Sequence, residues 1–129
     1  MKVHHWMPSL LSSCRVGAAA ARAANSSPDL AAQGQQSALK QAIFTCSACH
    51  GASGRSASPT FPALAGQSAQ YIEMQLHAFK DQSRADPDAQ AYMWGMASQL
   101  NDALITALAK YFSGLPGPPG SPGNAALVK

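Results

Sequence analysis

The residues with the most specific chemistry lie in one short segment, Cys46-Ser47-Ala48-Cys49-His50. Residues at positions i, i+3 and i+4 of a helix share a face, so the two thiols and the imidazole can meet one flat ligand. The Cys-x-x-Cys-His pattern is typical of c-type haem attachment, in which both sulfurs form thioethers and the histidine binds the iron. We therefore interpret Cys46, Cys49 and His50 as the residues that hold one covalently bound haem c.

Two other uses of a Cys-x-x-Cys pair have less support. A redox dithiol normally accompanies a βαβ pattern, and no stretch of this sequence alternates like a strand. A structural zinc ion needs four ligands, usually from a second Cys or His pair, but the third cysteine, Cys14, lies near the start of the chain and His77 is not paired with another Cys or His. Haem attachment remains the favoured interpretation.

The first 24 residues have the features of an export signal. They begin with the basic Lys2, contain a short apolar segment, and approach a small-residue cleavage pattern at 21–23. Arg15 interrupts the apolar segment, so a wrongly assigned start codon is an alternative. The segment that ends at Cys14 also resembles a lipoprotein cleavage box, which would leave an acylated cysteine. We expect residues 1–24 to direct export to the periplasm, with a lipid anchor on Cys14 as the alternative.

The charge distribution argues against nucleic acid as a partner. Three of the nine Lys and Arg residues lie in the first 24 positions, and the other six balance the six Asp and Glu residues. No basic patch is left to contact phosphates. No segment approaches the roughly 18 consecutive apolar residues of a membrane span.

An amphipathic helix leads into the attachment motif. From about Gly34, apolar residues recur at i, i+3, i+4 and i+7, namely Leu39, Ala42, Ile43 and Cys46. Cys46 thus continues the buried stripe, and the motif ends the helix.

A long loop rich in Gly, Ser, Ala and Pro follows at 51–66. Such a loop is rare in a compact domain unless it wraps a ligand. An iron-binding histidine needs an acceptor for its second ring nitrogen, and the Pro62 carbonyl is a candidate. Leu64 is a candidate for the wall of the haem site. An ordinary turn proline and a core leucine are the alternative interpretation.

Three further helices are predicted from caps and periodicity. Ser68, Asp86 before Pro87, and Asn101 are the predicted N-caps, and Gly114 is the predicted end of the last helix. The predicted buried faces are Tyr71, Ile72, Leu76 and Phe79 in one helix, and Leu104, Ile105, Leu108, Tyr111 and Phe112 in the last.

The second axial ligand of the iron has two candidates. Met93 and Met96 follow the motif at a suitable distance and lie three residues apart, so both can occupy one helix face. Met74 is better explained as core packing, the commoner role of methionine. Spacing alone does not decide between Met93 and Met96.

The chain resembles small class I c-type cytochromes, in particular the cytochrome c4 and c553 group, over roughly residues 34–115. The resemblance rests on Cys46-Ser47-Ala48-Cys49-His50-Gly51, Phe61-Pro62-Ala63-Leu64-Ala65-Gly66-Gln67, Tyr71 with Gln75-Leu76, and Leu108-Ala109-Lys110-Tyr111-Phe112. It implies that Met93, seven residues before Leu100, is the ligand, that Pro62 accepts from His50, and that the first and last helices cross. It also implies a single domain, since the chain has one motif where cytochrome c4 proper has two.

We therefore expect an all-α class I cytochrome c fold, with three to five helices around one haem. The expected organisation is a signal at 1–24, a linker at 25–33, the haem domain at 34–113 and a disordered tail at 114–129. The expected function is a monomeric, non-enzymatic periplasmic one-electron carrier whose partners are exported or membrane-bound redox proteins. The alternatives are a haem subunit of a larger dehydrogenase or oxidase, or a gas-binding or peroxidatic protein if Met93 does not bind iron.

Overall fold

The computed structural model describes residues 27–119, and every regular element in that range is helical. The helices are α1 (Ser27–His50), α2 (Ala69–Lys80), α3 (Trp94–Ala97) and α4 (Asp102–Ser113), and a π-helical turn, Ala89–Met93, runs directly into α3. The predicted all-α class is confirmed. The predicted signal at 1–24, including Cys14, and residues 120–129 lie outside the described residues.

The core lies between α2 and α4, and α1 packs against α4. Ile105, Leu108 and Phe112 of α4 are almost completely buried, and Ile72 and Leu76 of α2 complete the cluster. The predicted stripe of α1 packs against this cluster through Leu39, Ala42, Ile43 and Cys46. The attachment motif is thereby fixed to the core through its own helix.

The predicted N-caps are confirmed by their hydrogen bonds. Ser68 Oγ accepts from Tyr71 N at 3.1 Å, and Asn101 Oδ1 accepts from Leu104 N at 2.9 Å. Asp86 Oδ1 accepts from Ala89 N at 3.0 Å, at the start of the turn that leads to α3. Each side chain satisfies a backbone N–H that has no partner within its helix.

Two boundaries differ from the expected ones. Helix α1 begins at Ser27 rather than near Gly34, since Pro28 and Asp29 suit a first helical turn and favour helix over the polar composition of the segment. Residues 114–119 are held against the domain: Leu115 packs on the core, and Arg55 Nε donates to the Pro116 carbonyl at 2.9 Å. Apolar contact and a hydrogen bond thus order the first part of the expected tail.

Three side chains expected in the core are exposed. The exposed fractions are 45% for Tyr71, 56% for Met74 and 37% for Tyr111. Helices α2 and α4 meet through residues four apart, such as Ile72 and Leu76, and a residue one position away is rotated by about 100°. The buried face of α2 and of α4 is therefore narrower than the face that the apolar residues of the sequence predict.

Candidate haem-binding site

Gly51 and Gly54 both have positive φ in the loop after α1, and Gly54 makes the contacts that turn the loop back. Gly54 has φ +66°, and its carbonyl accepts from Leu64 N at 2.8 Å and from Ala65 N at 2.9 Å. A Cβ at this position would lie 2.9 Å from Phe112 Cδ1, so glycine is required for both the conformation and the space. These contacts hold the Pro62-Ala63-Leu64 segment beside the end of α1.

His50 is buried, with 6% of its surface exposed, and its ring is oriented by the loop. Its Nδ1 lies 2.7 Å from the Pro62 carbonyl oxygen. A carbonyl can only accept, so Nδ1 is the donor in this hydrogen bond. Nε2 is therefore the ring nitrogen left to bind a metal ion.

A cavity of about 670 Å³ opens beside the motif and is lined by every helix of the described chain. Cys46, Cys49 and His50 contribute to one side, and Leu64 contributes to the wall as expected. Its apolar lining comes from α2 and α4 through Ile72, Leu76, Phe79, Leu104, Leu108 and Phe112. The size and the apolar wall suit a large flat ligand such as haem.

The two cysteines are free thiols on the cavity wall. Burial raises the pKa of the Cys46 thiol, a backbone hydrogen bond opposes this rise, and repulsion from Cys49 adds to it by a smaller amount. The position of both cysteines on the wall of a cavity large enough for haem favours haem attachment over the dithiol alternative.

Both candidate methionines line the cavity, but in different surroundings. Met93 is half-buried, ends the π-helical turn, and packs against the α2–α4 cluster and the smaller cluster of Phe79, Ala89 and Ala97. Met96 is 52% exposed. Isolated π-helical turns occur frequently at functional sites. Packing therefore favours Met93 as the side chain held in a fixed position.

Two aromatic rings connect the motif to the segment that carries Met93. The rings of His50 and Phe61 lie 6.0 Å apart in edge-to-face geometry, and those of Phe61 and Tyr92 lie 5.3 Å apart. Edge-to-face pairs at this separation are favourable. Phe61 and Tyr92 thus form an apolar bridge along the cavity.

Several polar residues of the cavity wall have no sequence signal that places them there. They cluster near the connection between α2 and the π-helical turn, and they are Gln75, Arg84, Asp86 and Asp88. The Asp86-Pro87 pair identified only a helix cap. Irregular segments have no periodicity, so no sequence pattern indicates which of their side chains meet a cavity.

Comparison with known families agrees with this geometry. The family model described as "Cytochrome c" matches residues 31–116. The chain belongs to the cytochrome c family. Its cofactor is haem c, and the positions of Cys46 and Cys49 on the cavity wall fit covalent attachment.

Relatives named cytochrome c-552, cytochrome c-554(548) and cytochrome c4 confirm the resemblance to small c-type cytochromes. Cytochrome c-552 of Acidithiobacillus ferridurans is 52% identical over 69 residues, which cover 53% of this chain and 30% of the relative. Cytochrome c-554(548) of Halomonas halodenitrificans is 41% identical over 80 residues, which cover 62% of this chain and 95% of the relative. The solved cytochrome c4 of Acidithiobacillus ferrooxidans superimposes with a TM-score of 0.52 at 50% identity, covering 54% of this chain and 41% of that one.

The chain thus spans less than half the length of two of these three relatives. Among residues 27–119, no helix has the length and apolar character needed to cross a membrane.

Proposed function

We propose that this protein is a one-electron carrier in which a single haem c is held by Cys46 and Cys49 and its iron is bound by His50 and Met93. The observation that carries the proposal is the 2.7 Å hydrogen bond between His50 Nδ1 and the Pro62 carbonyl. It fixes the histidine tautomer and ring orientation that an axial ligand requires. Few other roles explain a buried histidine at a cavity wall beside two cysteines.

A histidine and a thioether together favour electron transfer over catalysis. A neutral, soft thioether binds ferrous iron well, and a second protein ligand closes the iron to substrates. The haem iron supplies the chemistry by gaining and losing one electron. Phe61, Leu64 and Tyr92 line the cavity and would shield a bound haem from water, which would favour the less charged ferrous state.

The proposed setting is the periplasm, with residues 1–24 as the export signal and residues 34–113 as the haem domain. The proposed partners are exported or membrane-bound redox proteins. The balanced charge of the chain after position 24 makes nucleic acid an unsuitable partner.

The test compares two substitutions three residues apart, Met93→Ala and Met96→Ala. The unmodified reduced protein should resist carbon monoxide at neutral pH, and the oxidised protein should show the weak red absorption band of an iron–thioether bond. Met93→Ala should abolish this band, admit carbon monoxide and lower the reduction potential, because the thioether ligand is lost. Absorption spectra of both oxidation states, with and without carbon monoxide, measure each effect.

Met96→Ala is the matched control, since it removes a methionine from the same cavity. It should leave the red absorption band and the resistance to carbon monoxide nearly unchanged. The reverse result would move the ligand to Met96 and keep the carrier function. Rapid carbon monoxide binding by the unmodified protein would contradict the carrier function and favour a gas-binding or peroxidatic one.

A further inference from the structure

The cavity wall contains an uneven set of charges. Besides His50, Arg84 is the one basic residue among the described residues that line the cavity. The acidic residues on the same wall are Asp86 and Asp88. A haem c brings two propionate carboxylates into this cavity, so the protein has a single guanidinium with which to balance them.

The backbone of Arg84 is held between two helices. Its N–H donates to the Ala78 carbonyl of α2 at 3.0 Å, and its carbonyl accepts from Trp94 Nε1 of α3 at 2.8 Å. The position of this residue is therefore set by the packing of α2 and α3, although the residue lies in an irregular segment.

The side chain is also held at three points. Nε donates to Asp86 Oδ2 at 2.8 Å, and Nη1 donates to Gln75 Oε1 at 2.7 Å. The guanidinium carbon lies 4.7 Å from the centre of the Phe79 ring, within the range of a cation–π contact. The hydrogen bond from Arg84 lowers the pKa of the Asp86 carboxyl most, and the hydrogen bond from Ala89 N lowers it further. Arg84 and Asp86 are therefore both charged at neutral pH.

These contacts leave part of the guanidinium available. Arg has five N–H donors, and two of them are used by Asp86 and Gln75. Within residues 27–119, no acceptor is found for the other three. Surface arginines are normally mobile, whereas this one is exposed, fixed and next to an apolar cavity. A rigid guanidinium with free donors suits a carboxylate or a phosphate, and the haem brings carboxylates into this cavity.

We infer that Arg84 binds a propionate of the haem and is a positioning residue that orients the haem edge toward the α2–α3 connection and raises the reduction potential of the iron. A fixed positive charge near the iron opposes the extra positive charge of the ferric state. Asp86 acts in the opposite sense, since it is a nearby anion, and it also holds the guanidinium in place.

This inference rests on the proposed function in one respect: the iron must change its oxidation state reversibly. The experiment measures the equilibrium reduction potential of the haem-loaded protein and of its Arg84→Gln, Arg84→Lys and Asp86→Asn variants. We expect Arg84→Gln to lower the potential, Arg84→Lys to give a value between those of Arg84→Gln and the unmodified protein, and Asp86→Asn to raise it. Asn can still cap the following turn, so Asp86→Asn keeps the local fold.

Lys80→Gln is the matched control. Lys80 is the last residue of α2 and pairs with a carboxylate, Asp102, at 2.9 Å, but it does not line the cavity. Its removal should leave the potential almost unchanged.

Equal shifts in Arg84→Gln and Lys80→Gln would reduce the effect to general surface charge and overturn the inference. Equal potentials in Arg84→Lys and Arg84→Gln would show that the charge of Arg84 does not act on the iron and that the side chain serves packing only. This result would also overturn the inference. If Arg84→Gln fails to fold, Arg84→Lys decides, because it keeps the charge and removes the guanidinium. A potential below that of the unmodified protein supports the inference, and an unchanged or raised one overturns it. An unmodified protein without reversible redox behaviour would instead contradict the proposed function.

Discussion

At the residue scale, the orientation of His50 depends on Gly54, a residue that does not line the cavity. The Pro62 carbonyl reaches Nδ1 because the loop reverses at Gly54, whose carbonyl accepts from both Leu64 N and Ala65 N. Gly54 itself is buried against Phe112, at the end of α4. The backbone conformation of a single glycine thus links the haem motif to the last helix.

Gly54→Ala should destabilise the haem-loaded protein by about 2–4 kcal/mol, because alanine is strained at this φ and its Cβ would crowd the Phe112 ring. Gly34→Ala is the control: Gly34 lies within α1 with open space around it, and alanine there should stabilise by about 0.5–1 kcal/mol. Urea unfolding followed by circular dichroism measures both. Equal effects of the two substitutions would exclude a special role for the Gly54 conformation.

At the scale of elements, the short helices depend on their caps more than on length. The π-helical turn and α3 together span nine residues, Ala89 to Ala97, and an isolated helix of that length is marginal in water. Helix α4 has twelve residues and begins at the Asn101 cap. Because α4 packs against both α1 and α2, a weaker start of α4 affects the whole domain.

Asn101→Ala should lower the free energy of unfolding by about 1 kcal/mol, since it removes the acceptor of Leu104 N. Asn101→Ser keeps a capping oxygen and should unfold at nearly the same urea concentration as the unmodified protein. The measurement is the urea concentration at the midpoint of unfolding, compared between proteins whose unfolding free energy depends equally steeply on urea. A loss in both variants would mean that Asn101 stabilises the fold by another contact.

At the scale of the whole molecule, the cavity takes the place of much of the core. Its apolar lining includes Leu76, Leu108 and Phe112, which also belong to the main cluster. A domain of this size has a small core, and one with an unfilled apolar cavity has less stabilisation still. The haem therefore completes the core as well as supplying the chemistry.

The chain without haem should be largely unfolded. A Cys46→Ser, Cys49→Ser double variant prevents thioether formation, and we expect the haem-free form to have reduced helical circular dichroism and no cooperative thermal transition. The haem-loaded unmodified protein should show the full helical signal and a cooperative thermal transition. A haem-free form with the full helical signal and a sharp transition would show that the helices fold without the cofactor.

The sequence by itself determined the local features. The Cys-x-x-Cys-His spacing, the stripe of α1 and the caps Ser68, Asp86 and Asn101 depend on residues close together in the chain. Such features follow from helix geometry and from the hydrogen bonds of nearby backbone groups. They were sufficient for the all-α class and the haem attachment site.

The tertiary structure decided which residues meet across the cavity. Spacing left Met93 and Met96 equivalent, but the packing of α3 makes Met93 half-buried and leaves Met96 exposed. Arg84 had no distinguishing pattern, because its position results from hydrogen bonds to α2 and α3. Contacts between distant segments depend on how helices pack against one another, and a short-range pattern carries no information about that packing.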